Sequence, residues 1–181
     1  MGQKKCHVAF LGGSITQNTS GHTAMVPAWL KKTFPDAEVT VTNAGLGSTC
    51  STSGAFRLKP HIFGREQVDL LVVEFAVNDD QDAGHARREC IRGMEGIIRQ
   101  VRAHNPRADI IMTHFVNPGM LNTLADGKKI LSATQHERVA AHYRVSSVYL
   151  SKELLKTVQV ALNSHLLLCL LMLLQRHLGS F

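Results

Sequence analysis

A serine directly follows two glycines near the start of the chain, where an apolar run ends. The run from Val8 to Leu11 stops at Gly12 and Gly13, and Ser14 comes next. This pattern predicts a hydroxyl on a tight turn at the carboxyl end of a strand. A serine hydroxyl attacks an ester well only when a base removes its proton and donors stabilise the resulting oxyanion. The sequence therefore favours acyl transfer through Ser14, provided that both kinds of group lie nearby.

Two other predicted strand ends offer donors for such an oxyanion. Gly47 lies in a glycine-containing loop after the second strand, where its backbone N–H is unobstructed by a side chain. Asn78 follows the most apolar stretch of the first half of the chain and carries a side-chain amide with two N–H donors. Together with the N–H of Ser14 itself, these groups form a candidate oxyanion hole.

The elements that must position these residues alternate between strands and helices. The apolar patterns predict strands at 6–11, 38–42, 68–75, 109–115 and 146–150, helices near 23–34, 54–58, 84–104 and 132–143, and a loop containing Pro118, Gly119 and Gly127. This alternation predicts a three-layer α/β/α fold with a five-stranded parallel sheet in the flavodoxin-like order 2-1-3-4-5. Strands one and three are neighbours in that order, so Ser14 and Asn78 should meet.

Three short motifs resemble a known family. The run Gly12-Gly13-Ser14-Ile15-Thr16 resembles the first block of the SGNH (GDSL-type) esterase and lipase superfamily, with Gly13 where the family usually has Asp. Residues 43–47 (Asn-Ala-Gly-Leu-Gly) resemble its second block, and residues 76–79 (Ala-Val-Asn-Asp) its third. The resemblance covers residues 6–153. It implies that Ser14 is the nucleophile, that Gly47 and Asn78 complete the oxyanion hole, and that the substrates are small acyl esters, including O-acetyl groups on carbohydrates.

The fourth block of that family, an Asp-x-x-His that supplies the general base, is missing near the C-terminus. His165 and His177 are preceded three positions earlier by leucines, and the only Asp-x-x-His is Asp82 to His85, expected to be an exposed start of a helix. We therefore expect an SGNH hydrolase-like domain at 1–153 and an atypical leucine-rich segment of the same domain at 154–181. A frame shift or altered splice is our hypothesis for this segment. His165 is a substitute base if the segment folds back over the sheet edge.

An alternative function follows from the missing block: a catalytically impaired or dead domain of the same fold that only binds ligand. A weaker alternative is a flavodoxin-like nucleotide or flavin binder, but no Gly-x-Gly-x-x-Gly or lysine follows Gly12-Gly13, so no cofactor is expected. The histidines at 22, 61, 104, 136 and 142 lack metal-ligand spacing, so no metal is expected either.

Charge and apolar content indicate which classes of partner this chain could bind. The formal net charge is +6, but the basic residues are scattered, so nucleic-acid binding is not expected. The apolar run 166–174 has nine residues, against about 20 for a membrane span, and the apolar start is too short for a signal peptide. We expect a cytoplasmic protein with a small-molecule ester substrate, and the oligomeric state stays open. We expect the cysteines to be buried free thiols, His7 and His114 to be interior, and Trp29 and Phe34 to pack against the sheet.

Overall fold

A parallel sheet of five strands forms the centre of the molecule. The computed structural model describes residues 4–64 and 66–150, together with 153, 154, 156, 157 and 160. The strands are β1 (Lys4–Gly12), β2 (Ala37–Gly45), β3 (Leu70–Glu74), β4 (Asp109–Thr113) and β5 (Ser146–Val148). Their order is β2-β1-β3-β4-β5, and every neighbouring pair is parallel. The predicted strand order is confirmed.

Helices follow the strands and cover both faces of the sheet. They are α1 (Ser14–Gln17), α2 (His22–Thr33), α3 (Ser51–Leu58), α4 (Ala76–Gln81), α5 (Arg87–His104), α6 (Pro118–Ala125) and α7 (Leu131–Tyr143), and α3 continues into a wider π-helical turn at Lys59–Phe63. Alternate residues of β1 point to opposite faces. Ala9 and Leu11 pack in the larger core with residues of α3 and α5, whereas Val8 and Phe10 pack with residues of α2.

The segment after β4 differs from its predicted loop. Pro118 begins α6 and does not interrupt it. Proline fits the first helical turn because N–H groups there have no acceptor within the helix, so its missing N–H removes no hydrogen bond. The Asn117 side chain caps this helix by accepting the N–H of Met120 at 2.8 Å. Glycine and proline therefore mark the start of a helix here, and the prediction of a loop was wrong.

The predicted placement of two aromatic side chains was also wrong. Trp29 and Phe34 are 59% and 52% exposed, and they pack edge to face against each other with ring centroids 6.3 Å apart. The helical spacing placed them on the apolar face, but α2 covers the sheet with Val26 and Leu30 instead. His7 and His114 are interior, as predicted.

The cysteines are only partly as expected. Cys6, Cys50 and Cys90 are free, but only Cys90 is fully buried. The leucine-rich run, Cys169, His165 and His177 lie outside the described residues. Over the residues that the structure describes, no helix is long and apolar enough to cross a membrane.

Candidate active site

The end of β1 presents Ser14 at the edge of the sheet. Gly12 is paired with Gly45 of β2 on one side and with Glu74 of β3 on the other, so three strand ends lie side by side. Gly13 precedes the first turn of α1, and Ser14 begins it with an exposed side chain. A Cβ at Gly12 would lie 2.8 Å from the carbonyl oxygen of Glu74, so this approach of the strands requires a glycine.

The Asn78 side chain packs directly on Gly13. A Cβ at Gly13 would lie 2.6 Å from Cγ of Asn78, closer than real Cβ atoms approach their neighbours. Asn78 is buried at the start of α4, and its Nδ2 donates to an Oδ atom of Asp82. Gly13 stands where the family usually has Asp. Because it has no side chain, it leaves space for the Asn78 carboxamide.

Gly47 completes the group of three predicted donors. A Cβ at Gly47 would lie 3.9 Å from the Cβ of Ser14, so this loop borders the serine. The N–H of Gly47 donates to Oε1 of Gln17 at 2.9 Å, and Gln17 is exposed. The predicted donor at Gly47 is thus paired with a carboxamide oxygen of the protein. Ser14, Gly47 and Asn78, far apart in sequence, lie at one edge of the sheet.

Arg57 of α3 is hydrogen-bonded to the ends of both β1 and β2. Its Nη2 donates to the carbonyl oxygen of Gly12 at 3.3 Å, and its Nη1 donates to that of Ala44 at 3.0 Å. Burial lowers the pKa of this guanidinium from its ordinary value. One side chain therefore satisfies carbonyl groups at two strand ends and fixes the loop that leads to Gly47.

A buried carboxyl group lies beneath the turn that carries Ser14. Oε2 of Glu74 accepts the Thr16 hydroxyl at 3.4 Å, and Oε1 is buried with no hydrogen-bond partner among the described residues. Burial raises the pKa of Glu74 to about 7, the Thr16 hydroxyl and the N–H groups of Gly13 and Val77 oppose this rise, and the charge of Asp79 adds to it. Glu74 thus contacts α1, the helix that Ser14 begins. The sequence did contain a signal for it, a lone charge in an apolar strand.

Asp79 is the centre of a second buried network. Its carboxylate accepts the N–H and the hydroxyl of Ser51, each at 2.7 Å, and Nε2 of His136 at 2.9 Å. Nδ1 of His85 lies 3.4 Å from the same carboxylate. Burial alone would raise the pKa of Asp79, but the hydrogen bond and charge of His136, with the Ser51 donors, lower it overall. No sequence pattern indicates the contact between Asp79 and His136, which lie far apart along the chain.

This site can be compared with known proteins. A family model for GDSL-like lipases and acylhydrolases matches residues 10–157. The chain belongs to this family. Comparison with curated protein sequences gives no significant match.

Solved structures of two esterases and of an alpha/beta hydrolase resemble the fold of this chain. A two-domain esterase active on acetylated mannans is 30% identical, with a TM-score of 0.68 over 82% of this chain. This chain spans only 38% of the length of that esterase. AlinE4, an SGNH-hydrolase family esterase, is 17% identical, with a TM-score of 0.63 over 82% of this chain and 77% of its own. LAE5, an alpha/beta hydrolase from the metagenome of Lake Arreo, Spain, is 16% identical, with a TM-score of 0.67, covering 85% of this chain and 81% of its own.

No proton acceptor for Ser14 is found among the residues that the structure describes. Among the residues described, no histidine nitrogen is hydrogen-bonded to the Ser14 hydroxyl. His85 faces Asp79 rather than Asp82, so the Asp82 to His85 spacing does not form a pair. His165, the predicted substitute base, lies outside the described residues.

Proposed function

We propose that this chain is a serine esterase that hydrolyses small acyl esters through Ser14. The observation that supports this proposal is the closeness of Ser14, Gly47 and Asn78 at the edge where β1, β2 and β3 end. The Ser14 Oγ attacks the ester carbonyl carbon while its proton passes to a base, for which His165 is the predicted candidate, and the oxyanion accepts from the N–H groups of Ser14 and Gly47 and from Nδ2 of Asn78. The carbonyl carbon–oxygen bond to the alcohol then breaks, and the base returns the proton to the leaving oxygen. Water, deprotonated by the same base, releases the acid from the acyl-enzyme and restores the Ser14 hydroxyl.

The donors must become free before the oxyanion can use them. The Gln17 side chain now accepts the Gly47 N–H, and Asp82 accepts one of the two Asn78 amide protons. Gln17 is exposed, so a substrate can displace its carboxamide without opening the core. The second Nδ2 proton of Asn78 leaves one donor for the substrate while the first stays paired.

We propose O-acetyl groups on carbohydrates as the substrate class. The support is the similarity to the two-domain esterase, which is active on acetylated mannans. An acetyl group is also small enough for an edge where Asn78 packs against Gly13 and Gly47 borders Ser14. The alcohol portion would then extend toward solvent past the exposed side of Ser14.

The second candidate is a ligand-binding domain of the same fold with little or no hydrolysis. The observation that favours it is that no histidine in the described region is hydrogen-bonded to Ser14. In a well-studied serine protease, loss of the catalytic histidine costs about a millionfold in turnover. Such a domain would keep the carbonyl-binding donors and lose the activated nucleophile.

Labelling with a serine-directed fluorophosphonate separates the two candidates. If the chain is an esterase, the intact protein is labelled and releases acetate from acetylated mannan, and Ser14→Ala abolishes both. Ser20→Ala, an exposed serine nearby, serves as the matched control and should leave both unchanged. Asn78→Ala should slow turnover by about 100- to 1000-fold, the usual effect of removing one oxyanion donor. Absence of labelling in a folded wild-type protein would exclude the esterase and support the binding domain.

A further inference from the structure

A cluster of metal-ligand side chains lies one residue beyond Asn78, around the Asp79 carboxylate. Cys50, Asp79 and His85 each offer a ligand atom, and these three atoms lie within 4.8 Å of one another. A second set, which combines the same carboxylate with Cys90 and His136, meets the same distance limit. Thiolate, imidazole and carboxylate are the three side-chain groups that bind zinc in proteins.

The distance between Asp79 and His85 fits two ligands of one ion. Nδ1 of His85 is buried, forms no hydrogen bond with the described residues, and lies 3.4 Å from Oδ1 of Asp79. Two ligands that each lie about 2.0–2.2 Å from a tetrahedral zinc are about 3.3–3.5 Å apart. The backbone N–H of His85 donates to the carbonyl oxygen of Asp79 at 2.7 Å, which holds the imidazole beside the carboxylate.

The two sets differ in access and in the ligand atoms that are left free. In the second set all three residues are buried, and Nε2 of His136 is already hydrogen-bonded to Oδ2 of Asp79 at 2.9 Å. In the first set Cys50 and His85 are half-buried, and Nδ1 of His85 has no hydrogen-bond partner among the described residues. Cys50 precedes α3, and its Sγ lies 3.1 Å from Oγ1 of Thr52 and 3.3 Å from Oγ of Ser53. The set with Cys50 is therefore the better site.

We propose that Cys50, Asp79 and His85 bind a zinc-type divalent cation, with water in the fourth position. Oδ1 of Asp79 accepts only the Ser51 N–H among the hydrogen bonds described, which leaves a lone pair for the ion. Cys50 and His85 are half-buried, so the ion reaches the site from solvent. The bound ion joins the start of α3 to the turn that follows α4, beside the proposed oxyanion hole. The linear sequence hides this site because the ligands come from three separate segments.

Cobalt titration of the full chain, without a polyhistidine tag, tests the proposal. Co²⁺ bound to a thiolate produces a near-ultraviolet charge-transfer band, and Zn²⁺ should abolish this band by displacing Co²⁺. We expect the band in the wild type and in Cys6→Ser and Cys90→Ser, and its loss in Cys50→Ser. His85→Gln should weaken Zn²⁺ binding at least tenfold in competition with a chromophoric chelator.

The variants also define the results that would overturn the site. A wild-type protein without the band, or a Cys50→Ser protein that keeps it, contradicts the proposal. Loss of the band in Cys90→Ser with retention in Cys50→Ser assigns the ion to the buried set instead. Circular dichroism of each apo variant verifies folding, so that loss of the band in a folded Cys50→Ser protein reports the ligand. These readouts do not depend on esterase activity.

Discussion

Replacing Glu74 by glutamine reports the energetic effect of burying a carboxyl group beneath the serine turn. Burial raises the pKa of Glu74 from 4.5 to about 7. Between these pH values the native protein keeps a proton that the unfolded chain has released, so the free energy of unfolding falls as pH rises. At about 1.4 kcal/mol per pH unit, ionised Glu74 reduces the stability of the wild type by about 3 kcal/mol above pH 7. Glutamine does not ionise and removes this loss.

The substitution also has a cost that does not depend on pH. The Glu74 carboxyl accepts the Thr16 hydroxyl, and its other oxygen is buried without a hydrogen-bond partner among the described residues. Glutamine offers one acceptor oxygen fewer and adds a buried NH₂ donor. An unsatisfied buried donor costs about 1–3 kcal/mol at every pH. The informative quantity is therefore the change with pH of the difference in unfolding free energy between variant and wild type, not its value at one pH.

Urea unfolding at pH 5 and pH 8 measures this quantity. We expect the free-energy difference between Glu74→Gln and wild type to shift by about 2–3 kcal/mol in favour of glutamine at pH 8. Glu66→Gln is the matched control, since Glu66 also accepts a threonine hydroxyl, from Thr40 at 2.8 Å, but is exposed. The difference in unfolding free energy between Glu66→Gln and wild type should be the same at pH 5 and pH 8. A shift below about 0.5 kcal/mol for Glu74→Gln would refute the reasoning.

Three further substitutions test the edge of the sheet. Gly13→Ala should displace Asn78, because the new Cβ would lie 2.6 Å from Cγ of Asn78. The displacement should lower the rate of acetate release and reduce the unfolding free energy by about 1–3 kcal/mol. Asp79→Asn should lower the unfolding free energy by about 1–3 kcal/mol, because an amide cannot accept every buried hydrogen bond that the carboxylate accepts from Ser51 and His136. Gln17→Ala should release the Gly47 N–H and lower the KM for a small acetyl ester without lowering kcat.

The Asp79 prediction has a matched control, and each of the three predictions has a result that would contradict it. Asp80→Asn changes the neighbouring exposed carboxylate and is the control for Asp79→Asn. Its unfolding free energy should stay within about 0.5 kcal/mol of the wild-type value when both proteins are unfolded in the presence of a metal chelator. An equal effect of Asp79→Asn and Asp80→Asn would contradict the buried network. Unchanged acetate release by Gly13→Ala would show that Asn78 need not lie against the serine turn. A lower kcat for Gln17→Ala would show that Gln17 assists turnover rather than occupying a donor.

The strand order and the meeting of Ser14 with Asn78 were predictable because both follow from strand ends. In a parallel sheet of known order, carboxyl ends share one edge, so residues far apart in the chain are placed without any contact being known. The short helices α1 and α4 were not predicted, since a turn or two is too brief for an apolar period to appear. Position 118 was misread because proline both ends and begins helices.

Buried polar contacts were beyond the reach of the sequence. His136 was one of several histidines without metal spacing, and its Nε2 is hydrogen-bonded to Asp79 across the core. Such a pair has no periodicity, since it depends on how α7 packs near α4. Glu74 differed because a single charge in an apolar strand stands out in the sequence, although its partners do not. Apolar pattern thus predicts the elements, while the hydrogen bonds between them require the packed structure.

The contacts that position the proposed oxyanion hole come from one contiguous stretch of the chain. The contacts of Gly13, Gln17, Arg57, Glu74 and Asp82 that fix this edge all lie between positions 12 and 82. The donors proposed for the oxyanion are therefore held by side chains from the first 82 positions, and these contacts do not involve the C-terminal region in which the family resemblance places the proton acceptor.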